Sequence, residues 1–117
     1  MQEDLNAATY LSEGKYFRSA CFHSRQSMEK SIKAFLLKEG WDLERIHNIR
    51  RLVSIGKGYH LPVDVSEEEI TFMDSIYRGR YPAEAGLLPL GEPSEADAER
   101  GIHIAKRIFE TIQTALI

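Results

Sequence analysis

Apolar residues recur at steps of three and four along almost the whole chain, the spacing that puts them on one face of a helix. Leu5, Ala8, Thr9 and Ser12 share a face of a short first helix, and Gly14 breaks it. Phe17, Cys21, Ser24, Met28, Ile32 and Phe35 then form the strongest stripe in the chain. Ala20, Ser27, Ser31 and Ala34 run beside it, small enough to let a neighbouring helix come close. The spacing predicts a helix from about Lys15 to Glu39, roughly 36 Å long at 1.5 Å per residue, ended by Gly40. Ile46, Ile49, Leu52 and Val53 mark a third, shorter helix stopping at Gly56, and the stretch from Lys57 to Val65 reads as a loop. Ser66 and Glu69 have the spacing of a capping box, with Ile70, Met73, Ile76 and Tyr77 as the apolar face that follows. Pro82 to Pro93 is a long connector. Ser94 and Asp97 open the last helix, whose stripe is Ala98, Ile102, Ala105, Phe109, Ile112 and Leu116. No alternating run bounded by turn signals occurs, so no sheet is expected. The pattern predicts an all-α protein, an antiparallel up-and-down bundle of four to five helices.

Composition narrows the picture. At 117 residues, the expectation is a single domain over residues 1–117 with one modest core. The formal net charge of -3 gives no overall attraction to nucleic acid, so anion binding has to come from local clustering. A single cysteine, Cys21, allows no internal disulfide and points to a reducing compartment. The acidic start and the lack of an 18-residue apolar run argue against a signal peptide and a membrane span, so a cytoplasmic protein is expected.

Candidate chemistry is sparse. His23, His47, His60 and His103 include no pair at i,i+4, and there is no C-x-x-C, so no metal is expected. Cys21 lies on the apolar stripe and reads as a core residue. Gly56-Lys-Gly58 is too short for a phosphate loop. The polar run from Gln26 to Lys33 pairs Glu29 with Lys33 at i,i+4 and reads as a solvated face with ordinary ion pairs. Tyr77-Arg-Gly-Arg80-Tyr81-Pro82 admits two readings. Gly79, Pro82 and the arginines can simply stop a helix. Alternatively Arg78 and Arg80 are forked donors for phosphate, with Tyr81 to stack on a base. Composition alone favours the helix stop.

The order of these segments is similar to that of HEPN domains (higher eukaryote and prokaryote nucleotide-binding). Gln26-Ser-Met-Glu29-Lys30-Ser-Ile-Lys33-Ala34-Phe-Leu36 resembles the family's Q-x-x-E-K-x-x-K-A-x-L helix. His47-Asn-Ile-Arg-Arg-Leu52 resembles its H-x-L-x-x-L helix, and Tyr77-Arg-Gly-Arg80-Tyr81-Pro82 its Y-x-x-R-Y-P signature. The resemblance extends from about Asp4 to Ile117. It implies a bundle of four or five helices, a homodimer and, for many members, pairing with a small nucleotidyltransferase. Other members are metal-independent endoribonucleases, often toxins, that use an Arg followed four to six residues later by His. Neither Arg78 nor Arg80 is followed by such a histidine here, and Arg100 precedes His103 by too little. Arg18 and His23 match formally, but on a helix five residues turn by about 140°, which points the two side chains apart.

The resulting expectation is a nucleotide- or RNA-binding accessory protein, partner of a small nucleotidyltransferase in a toxin–antitoxin-type context, with no cofactor. The ligand-binding candidates are Arg78, Arg80 and Tyr81 with Lys30, Lys33 and His47. The alternative is a ribonuclease with a non-standard Arg/His site, Arg80 acting with His47 brought near by dimerisation.

Overall fold

A computed structural model describes residues 1–42, 44–79 and 93–116. The described residues are helical, with no strand among them. Five helices follow in order: α1 (Gln2–Glu13), α2 (Phe17–Lys38), α3 (Ile49–Gly58), α4 (Glu67–Gly79) and α5 (Glu95–Leu116). No described helix is long and apolar enough to cross a membrane.

Helix α2 is the axis of the bundle and packs against each of the other four. Its stripe is buried as the spacing requires: Met28, Ile32, Phe35 and Leu36 enter the main core with Ile49, Leu52, Val53, Ile70, Met73, Ile104, Ile108 and Ile112. The contacts fix the directions. Arg107 meets Glu69, and Gly101 lies near Phe72, so α4 runs antiparallel to α5. Lys38 Nζ donates to the Leu116 carbonyl at 2.8 Å, and Gly101 lies against Ser24, so α2 and α5 run parallel, side by side. An up-and-down order of α1, α2, α4 and α5 produces this parallel pair. A Cβ on Gly101 would sit 3.4 Å from the Ser24 Cβ, so the small residues of the α2 flank do admit a close neighbour.

Helix ends follow their local chemistry. Ser66 and Glu69 form the reciprocal capping box, with Ser66 N–H to Glu69 Oε1 at 3.0 Å and Glu69 N–H to Ser66 Oγ at 3.1 Å. Ser94 and Asp97 repeat it at α5. Two boundaries differ from the expected ones. Helix α2 begins at Phe17, because Lys15 takes a left-handed conformation (φ 67°) in the α1–α2 turn. Helix α3 continues through Gly56 to Gly58. Gly56 is buried, a Cβ there would meet Leu61 at 3.1 Å, and Leu61 N–H donates to its carbonyl at 2.9 Å. It serves close packing of the returning chain and does not stop the helix.

The core face of α5 is wider than the expected stripe, of which Ala98, Ala105, Phe109 and Ile112 are buried. Ile104 and Ile108 are buried, whereas Ile102 is only half-buried. It lines an open groove of about 220 Å³ between α1 and α5, with Leu5, Thr9, Lys106 and Phe109. The parallel contact with α2 recruits the side of α5 that carries Gly101, Ile104 and Ile108. Trp41, just beyond α2, joins the main core.

Candidate functional site

The polar run on α2 is the chemical centre of the molecule, and it is not a solvated face. Arg25, Ser27, Glu29 and Ser31 are buried, and only Lys30 of this group is exposed. The expectation of ordinary surface ion pairs is corrected here. The helix is flanked on this side by α1 and by the chain that leads into α3, and both cover it.

Glu29 organises the first cluster. Its Oε1 accepts from Arg25 Nη1 at 3.0 Å. Its Oε2 accepts from Lys33 Nζ at 3.4 Å and faces His47 Nδ1 at 3.1 Å. The second guanidinium nitrogen of Arg25 donates to the His47 carbonyl. His47 is thus held at ring and backbone by two side chains from inside the bundle. Its own ring remains half exposed, at 51%.

The position of His47 is fixed from the other side by α4. Asp74 accepts from the backbone N–H groups of Ile49 at 2.8 Å and Arg50 at 3.2 Å, and Asn48 Oδ1 accepts from Arg51 N–H at 2.8 Å. Three of the donors left open at the start of α3 are thereby satisfied, one of them by the helix's own N-cap. Residues 44–48, which have no regular structure, are pinned between α2 and α4.

A second cluster lies toward α1. Asp4, nearly buried, accepts from Lys30 Nζ at 2.8 Å and faces His23 Nδ1 at 3.1 Å. Burial raises the Asp4 pKa, but the bonds from Lys30 and His23 outweigh it and hold the carboxyl below its usual value. Lys30 is therefore drawn away from Glu29, although it is three residues from Lys33.

Of the six residues singled out from sequence, Lys33 and His47 are brought together on one carboxylate oxygen, and Lys30 lies beside them in the neighbouring cluster. Arg78 is in the last turn of α4, one turn beyond Asp74. Arg80 and Tyr81 lie outside the described residues, as do the apolar Leu87, Leu88 and Leu90 of the connector. Arg25 and Asp4 had no sequence signal as site residues, and His23 had only the formal match with Arg18 that helix geometry sets aside. Glu29 had one, its i,i+4 spacing to Lys33, but that spacing does not reveal burial.

Cys21 is buried, which pushes its thiol up to about 11, helped by nearby Asp97, so it is a packing residue with little thiolate at neutral pH. Among the described residues no group of three or more His, Cys, Asp or Glu is placed to hold a metal ion.

The HEPN domain family model matches residues 2–115, nearly the whole chain. No curated protein and no solved structure matches.

Proposed function

The chain belongs to the HEPN domain family, whose membership is consistent with a nucleotide- or RNA-related role, and on that footing we propose that it binds a nucleotide or RNA through the surface around Lys33 and His47. The observation that carries this reading is the Glu29 cluster. One buried carboxylate steadies a lysine that is 16% exposed and a histidine that is half exposed, and the buried Arg25 charge bonds the same carboxylate. An anion arriving there meets donors already in place, so little side-chain freedom is lost on binding.

The end of α4 supplies the rest of the proposed site. Asp74 touches the backbone two residues after His47, and Arg78 follows Asp74 by about one turn, or 5.4 Å along the axis. In this reading Arg78, with Arg80 and Tyr81 from beyond the described residues, grips phosphate and stacks on a base, and Lys30 contributes from α2. The protein acts as a homodimer and as accessory to a small nucleotidyltransferase, as the resemblance implies.

Calorimetric titration of the full chain with adenosine monophosphate and with short oligoribonucleotides tests the binding. Saturable binding supports the reading; no heat and no shift in melting temperature at millimolar nucleotide would reject it. A second reading, ribonuclease action, is favoured by one feature: a carboxylate-oriented imidazole is the usual form of a general base. Cleavage of a folded RNA in EDTA, lost in His47→Ala, would replace the accessory role by that one.

A further inference from the structure

The chain from Arg45 to Val63 contains the cations Arg45, Arg50, Arg51 and Lys57 and no aspartate or glutamate, in a protein whose formal net charge is -3. Helix α3 lies in the middle of this run. At about 100° per residue, Lys57, Arg50, Ser54, Gly58 and Arg51 fall within an arc of about 120°, and all of them are exposed. Ile49, Leu52, Val53 and Gly56 turn the other way, into the bundle. The arc is open: a Cβ on Gly58 would meet no atom within 4 Å. At one edge Arg50 is engaged with Glu67 and Thr71 of α4. Lys57 lies beside it, and Arg51 lies at the other edge. Neither Lys57 nor Arg51 has a carboxylate partner among the described residues.

The make-up of this face selects its ligand. The half-buried Ile55 and Tyr59 pack against the main core, so the arc carries no aliphatic or aromatic side chain. A protein partner would find no apolar anchor here, and an unpaired strand no ring on which to stack a base. What remains is positive charge at both edges of a strip of small residues, Ser54 and Gly58. That chemistry suits a phosphate backbone met without reading the bases, and a duplex presents its backbone with the bases turned inward.

We propose that the outer face of α3 docks the phosphate backbone of a double-stranded nucleic acid. Arg51 and Lys57 are the phosphate contacts, and Ser54 lies between them. The acids that follow in the chain, Asp64, Glu67 and Glu68, confine the contact to α3. This inference goes beyond the nucleotide-binding reading, since it uses neither Lys33 nor His47.

The test is fluorescence anisotropy of the full chain with three labelled probes: a short RNA duplex, a DNA duplex of the same sequence, and one of the RNA strands alone. A duplex should bind more tightly than the strand, and the tighter duplex identifies RNA or DNA as the source. One phosphate contact to a duplex contributes a log–log salt slope of about 0.9, which at about 0.1 M salt is roughly eightfold in affinity. Arg51→Gln and Lys57→Gln should each weaken duplex binding by about that factor and flatten the slope by about 0.9. Both side chains are exposed, so the urea midpoints should stay in place. Ser54→Glu puts a carboxylate between them and should weaken the duplex at least as much. Lys106→Gln removes the same charge from the groove between α1 and α5, and should leave affinity within about twofold. Absence of duplex binding at low salt would overturn the proposal, as would a strand bound as tightly as the duplex. So would unchanged duplex affinity in both Arg51→Gln and Lys57→Gln, or an equal loss in Lys106→Gln, the mark of net charge alone. Polyglutamate competing as well as the duplex would replace the nucleic acid by an acidic protein. Adenosine monophosphate, titrated into the same variants, reads the Lys33–His47 surface separately and should bind them unchanged. Its failure to bind the unaltered chain would strike that surface and leave the duplex result standing.

Discussion

Replacing Glu29 by alanine removes the group on which the buried Arg25, the largely covered Lys33 and the chain leading into α3 all converge. The carboxylate is 6% exposed and bonds Arg25 at 3.0 Å, His47 at 3.1 Å and Lys33 at 3.4 Å. Alanine leaves the Arg25 guanidinium, which has no exposed surface, buried without its carboxylate. Deleting one member of a buried pair costs about 3–5 kcal/mol. The bonds to His47, half exposed, and to Lys33, 16% exposed, add less, because neither partner is fully buried. Glu29→Ala should therefore cost about 3–4 kcal/mol, and Glu29→Gln, which keeps acceptor atoms but loses the charge, about half of that. With a urea slope of about 1.5 kcal/mol per molar, the midpoint should fall by about 2 M and 1 M respectively. Arg25→Met combined with Glu29→Leu removes both members of the buried pair and should recover most of the loss. A cost of less than about 1 kcal/mol for Glu29→Ala would refute the description of this cluster. So would a double variant less stable than the single one.

Three further outcomes are expected. Arg107 holds Glu69 through two bonds of 2.6 and 2.9 Å, and with help from the Ser66 cap this lowers the Glu69 pKa from 4.5 to about 2. Its stabilisation is therefore complete above about pH 4.5 and disappears as pH falls through 2. Allowing for solvent at Arg107, the Arg107→Leu penalty should be about 1–2 kcal/mol at pH 7 and should shrink in acid-urea melts; an equal penalty at pH 2 would contradict it. Asp74→Ala uncaps α3 and should cost about 1–2 kcal/mol in urea, with faster amide exchange at Ile49 and Arg50; unchanged exchange would show that the cap is not formed in solution. Phe109→Ala should cost about 3–5 kcal/mol, and a cost within error would mean that α5 docks on α1 differently.

Helix positions were legible because the apolar period is long and regular, and the two capping boxes fixed the starts of α4 and α5 to the residue. The full width of the α5 core face was not legible. Ile102 and Ile104 both fit a helical stripe, and only the close approach of Gly101 to Ser24 decides between them. Gly56 misled for a related reason: glycine signals a helix end and close packing equally well. In the candidate site, Lys30, Lys33 and His47 could be named from residue type and order. The burial of Glu29 and Arg25 could not, since an i,i+4 ion pair looks the same in sequence whether it is solvated or covered. The bond from Asp4 to His23 spans nineteen residues and leaves no local pattern at all.

The most direct test of the nucleotide-binding reading is calorimetry of Lys33→Ala and His47→Ala against the unaltered chain, with adenosine monophosphate as ligand. Both side chains keep solvent contact, so each urea midpoint should move by no more than roughly 0.5 M. Each variant should weaken binding by about tenfold, the loss of one charge-assisted bond to phosphate. Affinity unchanged in both, with folding intact, would contradict the account.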